Sequence, residues 1–427
     1  MYFILKSHKG GCFLLLKYFN WNAINVYFSL AACLFIAGLS AQPTANSVCF
    51  NSNKERVTLS QYNNDFLIDE TGSKYAFNKK IIIQSLLSQK AVYELHNQIT
   101  RVQAIAEVNH GTVYWVTPKQ EHFFDVFSAL TAHQGIISVE PDIAPVRKLL
   151  RANHKVQLKE VYSKNSLLSS LKPPFCDSPV NRVRVAIIDD GFDFSHTEFN
   201  ELAVLLEYDA DEHVLDASTT GIVDYHGTQV AGVIAAKQDG IGVEGFAPTS
   251  ELIAIRQVST WTSSLILAFH VAKLMKADVV NCSWVLPFLS DITAVVIKDL
   301  ASSPHRPVIV ASAGNNRQKA CEVNKLSELE SVVVVGSINK VGNLAEFSNY
   351  GQCVDYYAPS SVKSTSLSGY ANFGGTSSSA AIVSGIIAQL KACGVAQPLS
   401  QLHLFENIKP AHSVLNFRAK ESTKKHY

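Results

Sequence analysis

Val308-Ile309-Val310-Ala311-Ser312-Ala313-Gly314-Asn315 is the stretch from which the fold can be read. Its apolar run shows no alternation with polar residues, as expected of a strand buried on both faces. It ends in a glycine that allows a tight turn and an asparagine that projects an amide donor, although both residues are also common turn formers. Runs of similar texture occupy 183–189, 251–258, 277–283, 307–313 and 331–338, and helical stretches at 265–276 and 292–301 lie between them. Buried strands alternating with helices predict an α/β fold, a mostly parallel twisted sheet with helices on both faces. Ligands of such sheets bind beyond the carboxyl ends of the strands, so the polar residues just after each run carry the information about function.

Val185-Ala186-Ile187-Ile188-Asp189-Asp190-Gly191 puts a carboxylate at the mouth of a buried strand. That position is costly unless the charge is paired, but many α/β strands end in Asp without chemical purpose. His226-Gly227-Thr228-Gln229-Val230-Ala231-Gly232 opens a small-residue helix with an imidazole, where a capping or surface histidine would look the same. Asn281-Cys282-Ser283-Trp284-Val285 ends a strand in a large aromatic, which core packing alone would explain. Gly374-Gly375-Thr376-Ser377-Ser378-Ser379-Ala380-Ala381 leads into an apolar helix. A hydroxyl there sits in a first turn whose backbone N–H groups are free, although a serine-rich N-cap has the same appearance. Three adjacent serines leave the reactive one open.

The order Asp, His, Asn, Ser is specific, because α/β-hydrolases place His last and chymotrypsin places it first. On these residues the chain resembles the subtilisin-like serine proteases, or subtilases, over roughly residues 183–395. Gly245-Phe246-Ala247-Pro248, Val334-Val335-Gly336, Phe347-Ser348-Asn349-Tyr350-Gly351 and Tyr357-Ala358-Pro359 look like further family segments. The resemblance implies a serine endopeptidase in which Ser377 is the nucleophile, His226 the general base, Asp189 its orienting carboxylate and Asn315 the oxyanion donor. It also implies that substrate lies along Ser283, Trp284 and Val285, and that Gly314 leaves room for the side chain before the scissile bond. Catalysis would need no cofactor. The loop 237–243 with Glu198 aligns with a calcium site of some members, so Glu198, Asp239, Ile241 and Val243 are expected structural calcium ligands; an ordinary turn beside a surface acid is the alternative. The chain departs from the family where Trp284 and Val285 replace Leu and Gly, which implies narrowed or shifted specificity. Gln229 stands where a second His is common, and Ser378 and Ala381 replace the usual Met and Pro. A catalytically silent, peptide-binding relative would lack a reason to keep Asp189, His226, Asn315 and Ser377. A serine esterase would show the other chain order and a G-x-S-x-G motif.

Ahead of this region, 24–41 is apolar, Lys6, Lys9 and Lys17 precede it, and small residues Gly38, Ser40 and Ala41 close it. That pattern reads as a secretory signal over 1–41, and hence a secreted or periplasmic protein, with a membrane-anchored form as the alternative. Residues 42–76 are polar and read as a linker. Residues 77–147 fit a small α+β, ferredoxin-like unit: strands at 81–83, 113–116 and 136–139, and helices at 89–99 and 122–133. Ala129-Leu130-Thr131-Ala132-His133-Gln134-Gly135 followed by Val139-Glu140-Pro141-Asp142 resembles the family's inhibitory propeptide, which implies self-cleavage and makes the propeptide the enzyme's own inhibitor. Residues 148–180 read as a connector, 181–400 as the peptidase domain and 401–427 as a tail.

The chain has 427 residues, of which 37 are basic and 36 acidic, so no broad positive surface for nucleic acid is expected. Expected partners are protein or peptide substrates and the propeptide, with the enzyme a monomer. None of the eight cysteines forms a C-x-x-C pair, which excludes metal-knuckle and thioredoxin-type chemistry. Cys321 and Cys353 are a candidate disulfide, and Cys282 reads as a buried small hydrophobe.

Overall fold

The computed structural model describes residues 46–52, 55–146, 176, 179–221, 224–367 and 369–405. The expected signal segment, most of the connector and most of the tail lie outside these residues. Among the described residues no helix is long and apolar enough to cross a membrane.

The N-terminal part contains β1 (Ser47–Ser52), β2 (Glu55–Gln61), β3 (Phe66–Ile68), β4 (Lys74–Ser85), α1 (Gln89–Glu94), β5 (Ile99–Val108), β6 (Gly111–Pro118), α2 (Phe123–Thr131) and β7 (Ile136–Pro145). From β4 to β7 the order is β-α-β-β-α-β, and β7, β4, β6 and β5 lie side by side in antiparallel pairs, the split βαβ arrangement of a ferredoxin-like unit. The linker expected at 42–76 is corrected. β1, β2 and β3 extend the same sheet from the edge of β4, burying Val48, Phe50, Leu59 and Leu67. Their period-two pattern was hidden by short strands rich in Asn and Ser. The helix expected at 89–99 also stops early, and β-branched residues from Ile99 onward form β5 instead.

The C-terminal part begins with β8 (Arg184–Asp189), β9 (Val204–Asp209), α3 (His226–Ala235), β10 (Glu251–Arg256), α4 (Thr262–Leu274) and β11 (Val279–Cys282). It continues with α5 (Asp291–Ala301), β12 (Val308–Ser312), α6 (Ala320–Val323), β13 (Val332–Ile338) and β14 (Tyr356–Pro359), then the hairpin β15 (Val362–Ser366) and β16 (Gly369–Phe373), and α7 (Gly375–Ala392). Seven strands run parallel in the order β14-β13-β12-β11-β8-β10-β9. Sequence analysis located the five central strands and missed the outer two, β9 and β14.

Both faces of this sheet are covered, which explains the unbroken apolar runs. On β8, Val185 and Ile187 pack toward α3 and α7, whereas Ala186 and Ile188 pack toward α4 and α5. Ile82, Ile105, Ala106 and Val113 of the N-terminal sheet join the second cluster, so that sheet lies on α4 and α5. Among the described residues two disulfides close the structure. Cys321 pairs with Cys353 as expected, and Cys176 pairs with Cys393, 217 residues apart. Cys282 is buried and unpaired.

Candidate active site

Asp189 ends β8 and is almost wholly buried. Its Oδ1 lies 2.8 Å from Nδ1 of His226, the first residue of α3. An ionised carboxylate can only accept, so Nδ1 carries the proton and Nε2 keeps its lone pair. Gly227 brings the start of the helix close to this strand end: a Cβ there would sit 2.5 Å from the Gly191 carbonyl oxygen. Partial burial pulls the imidazolium down in proton affinity, but the Asp189 and Asp190 carboxylates more than offset this and raise the His226 pKa above 6.5. The Phe373 ring stands edge-on to His226, with centroids 5.2 Å apart.

Of the three serines at the start of α7, burial selects one. Ser378 and Ser379 are fully buried and donate to backbone carbonyls of Gly375 and of Ala358 and Pro359, respectively. Ser377 is half-exposed, and its hydroxyl donates to the Ser283 carbonyl at 2.7 Å. Asn315 is exposed beside it. Its Oδ1 accepts from the Thr376 N–H at 2.9 Å and the Thr376 hydroxyl at 3.1 Å, which turns Nδ2 away from Thr376. The loop carrying Asn315 is held from below by Asn349, which sequence analysis quoted only as part of a family segment. Buried Asn349 donates Nδ2–H to the Ala313 carbonyl and accepts from the N–H groups of Asn316 and Gln318.

Ser283-Trp284-Val285 leaves β11 alongside these groups. The Trp284 indole donates to the Ile188 carbonyl at 2.6 Å, and the Trp284 carbonyl accepts from the Ser312 hydroxyl at 3.1 Å. Gly314 has φ +100°, and a Cβ there would lie 2.4 Å from Asn349 Nδ2 and 3.0 Å from Val285 Cγ1. Gly314 therefore lets Asn349 and Val285 pack closely against the chain.

The residues expected to bind calcium do not fit it as arranged. Buried Glu198 accepts from the Tyr370 hydroxyl at 2.5 Å and from the Val243 N–H at 3.2 Å, so Val243 turns a donor toward the carboxylate. Asp239 pairs with the Lys237 ammonium at 2.8 Å and accepts from the Ile241 N–H at 2.9 Å. Glu198 Oε2 is buried without a partner among the described residues, but it is a single oxygen, whereas calcium needs six to eight.

The contact between the two parts of the chain is also built from polar groups. Glu140 on β7 is fully buried and accepts from the Ile292 N–H at the start of α5, 2.9 Å away. Asp142 accepts from the N–H and hydroxyl of Ser263 at 3.0 and 2.9 Å, capping α4, whose own N-cap residue Trp261 makes no side-chain cap. Burial pushes the Glu140 carboxyl up to about 8 and also raises Asp142.

A parallel α/β sheet with Asp and Asn at or just after strand ends and His and Ser at helix starts is the arrangement of subtilisin-like proteins. The subtilase family model, Peptidase S8, matches residues 181–400, just over half of the chain, and the chain belongs to that family. It is 30% identical over 233 residues to subtilisin from Bacillus pumilus, covering 52% of this chain and 82% of that one. It is also 30% identical over 219 residues to a thermophilic serine proteinase from Bacillus sp. strain AK1, covering 49% of this chain and 52% of the relative. Against subtilisin E of Bacillus subtilis strain 168 the identity is again 30%, and the chain spans 59% of that relative's length. Among solved structures, fervidolysin from Fervidobacterium pennivorans, a keratinolytic enzyme related to subtilisin, shares the fold. Its TM-score is 0.59 at 22% identity, over 77% of this chain and 57% of that one.

Proposed function

We propose that this chain is an exported, self-processing serine endopeptidase whose N-terminal sheet domain is its own inhibitor. The observations that carry this are the pairing of buried Asp189 with His226 at 2.8 Å and the half-exposure of Ser377 in a serine run whose other two members are buried. In the reaction, the Ser377 hydroxyl leaves the Ser283 carbonyl and gives its proton to His226 Nε2 as Oγ attacks the peptide carbonyl. His226 then delivers that proton to the leaving amine, and Asp189 stabilises the imidazolium. Asn315 Nδ2 and the Ser377 N–H hold the oxyanion. The freed Ser283 carbonyl becomes available to a substrate backbone lying as an added strand along Ser283-Trp284-Val285. Val285 beside Gly314 favours a small side chain before the scissile bond.

The inhibitory domain is proposed to begin near Ser47 rather than at residue 77, because β1 to β3 belong to its sheet. The mature enzyme acts as a monomer on protein or peptide substrates. Catalysis is proposed to need no cofactor, and Lys237 pairs with Asp239 in the loop where calcium was expected. Export relies on residues 1–41, and a retained membrane anchor is the other form that this segment permits.

The test compares the full chain with Ser377→Ala by intact mass, N-terminal sequencing and casein hydrolysis. Wild type should shorten to a form starting between about residues 143 and 180 and hydrolyse casein. The variant should stay whole and inactive. A folded wild type that neither shortens nor hydrolyses casein would return the chain to the silent, peptide-binding reading.

A further inference from the structure

Asp190 takes no part in the mechanism above, yet three contacts tie it to the catalytic imidazole. Its N–H donates to Asp189 Oδ1 at 2.8 Å, the same oxygen that His226 Nδ1 meets at 2.8 Å. Its own Oδ1 accepts from the N–H of Gly227 at 3.0 Å, at the start of the helix that carries His226. One oxygen from each carboxylate and one ring nitrogen of His226 lie within 4.8 Å of one another. The site thus sets two carboxylates against one imidazole, and Asp190 is half-buried, so solvent screens it only in part.

We propose that Asp190 is a positioning residue whose negative charge raises the proton affinity of His226 and so sets the acidic edge of the enzyme's working range. This rests on the peptidase reading above. The other groups packed around His226 do not supply that charge. Asp224, two residues earlier, is turned toward the Thr220 N–H and hydroxyl, the Gly221 N–H and Arg256. The β15–β16 hairpin presents the uncharged Phe373 ring, and from β11 the buried Cys282 thiol is held protonated. Burial and the Asp189 charge push Asp190 itself up to about 6, so its charge is present at neutral pH and begins to be lost where the imidazole gains a proton.

The sign follows directly. The base form of His226 is the neutral ring, and a nearby negative charge holds the proton on, so the acid limb of kcat/KM is moved to higher pH. Asp190→Asn keeps an oxygen for the Gly227 N–H and removes only the charge. The expected result is an acid limb of kcat/KM displaced by about one pH unit toward lower pH, the shift that loss of a charge within about 4–6 Å produces. One unit below the wild-type midpoint, the variant should then keep a several-fold larger fraction of its plateau activity.

The same displacement should appear in the NMR titration of the His226 ring. That titration is read in full chains carrying Ser377→Ala with and without Asp190→Asn, and assigned by the resonance that His226→Gln removes. Coincident limbs and coincident titrations would overturn the proposal, whatever happens to the plateau. If the wild type hydrolyses nothing, the peptidase reading fails by itself, and the titration still decides whether the Asp190 charge acts on His226.

Discussion

With Oδ1 held by the N–H and hydroxyl of Thr376 at 2.9 and 3.1 Å, the Asn315 amide has one orientation that satisfies its neighbours, and Nδ2 faces away from Thr376 as the proposed oxyanion donor. A donor fixed in advance costs no reorganisation when negative charge develops. Asn315→Ala should therefore lower kcat by about 10²–10³, the cost of losing one oxyanion donor in subtilisin, with KM little changed. Steady-state kinetics on a peptide amide would check it, and a loss carried mainly by KM would remove Asn315 from this role. Asn315 could be picked out in the sequence because it follows an apolar strand and a glycine. Its dependence on Thr376 could not, because 61 residues separate the two.

Among the elements, α4 starts without a side-chain cap of its own and α5 with only Ser290, and both take acceptors from β7 of the other domain. Glu140 serves Ile292, and Asp142 serves Ser263. Burial raises the Glu140 carboxyl to about 8 from an ordinary 4.5. A raised folded-state pKa means that the docked state binds the extra proton. Its stabilisation is complete below about pH 4.5 and is lost as pH rises through about 8, by up to a few kcal/mol. Glu140→Gln keeps a neutral cap and removes that dependence. In chains carrying Ser377→Ala, thermal unfolding measured from pH 5 to 8 should show the Glu140 form losing stability with pH and the Glu140→Gln form losing less. Parallel curves would mean that Glu140 titrates normally in the docked state. The acidic pair was legible in Val139-Glu140-Pro141-Asp142, but its targets were not, because capping across 121 and 152 residues leaves no local signal.

Across the whole molecule, the parallel sheet is held by its covered faces and by two crosslinks of very different span. Cys321–Cys353 closes a separation of 32 residues, for which loop entropy lost from the unfolded chain corresponds to about 3–4 kcal/mol. Replacing both cysteines by serine should lower unfolding stability by about that amount in denaturant titrations, leaving the catalytic constants of the folded enzyme nearly unchanged. A change below about 1 kcal/mol would indicate an unfolded state already restrained near that loop.

Several features were determined by the sequence alone. The unbroken apolar runs imposed a sheet buried on both faces, and the order of Asp189, His226, Asn315 and Ser377 at strand ends and helix starts identified the chemistry. Both signals are local, readable within a few residues or as simple order along the chain. Only the tertiary structure showed Ser378 and Ser379 buried with Ser377 half-exposed, drew the polar residues ahead of position 77 into a sheet, and paired Cys176 with Cys393. It likewise turned Glu198 Oε1 to the Tyr370 hydroxyl and the Val243 N–H and paired Asp239 with Lys237. The reason is the same in each case: burial, strand pairing and hydrogen-bond satisfaction are settled by groups distant in sequence, and a single chain read in order does not show which of them will meet.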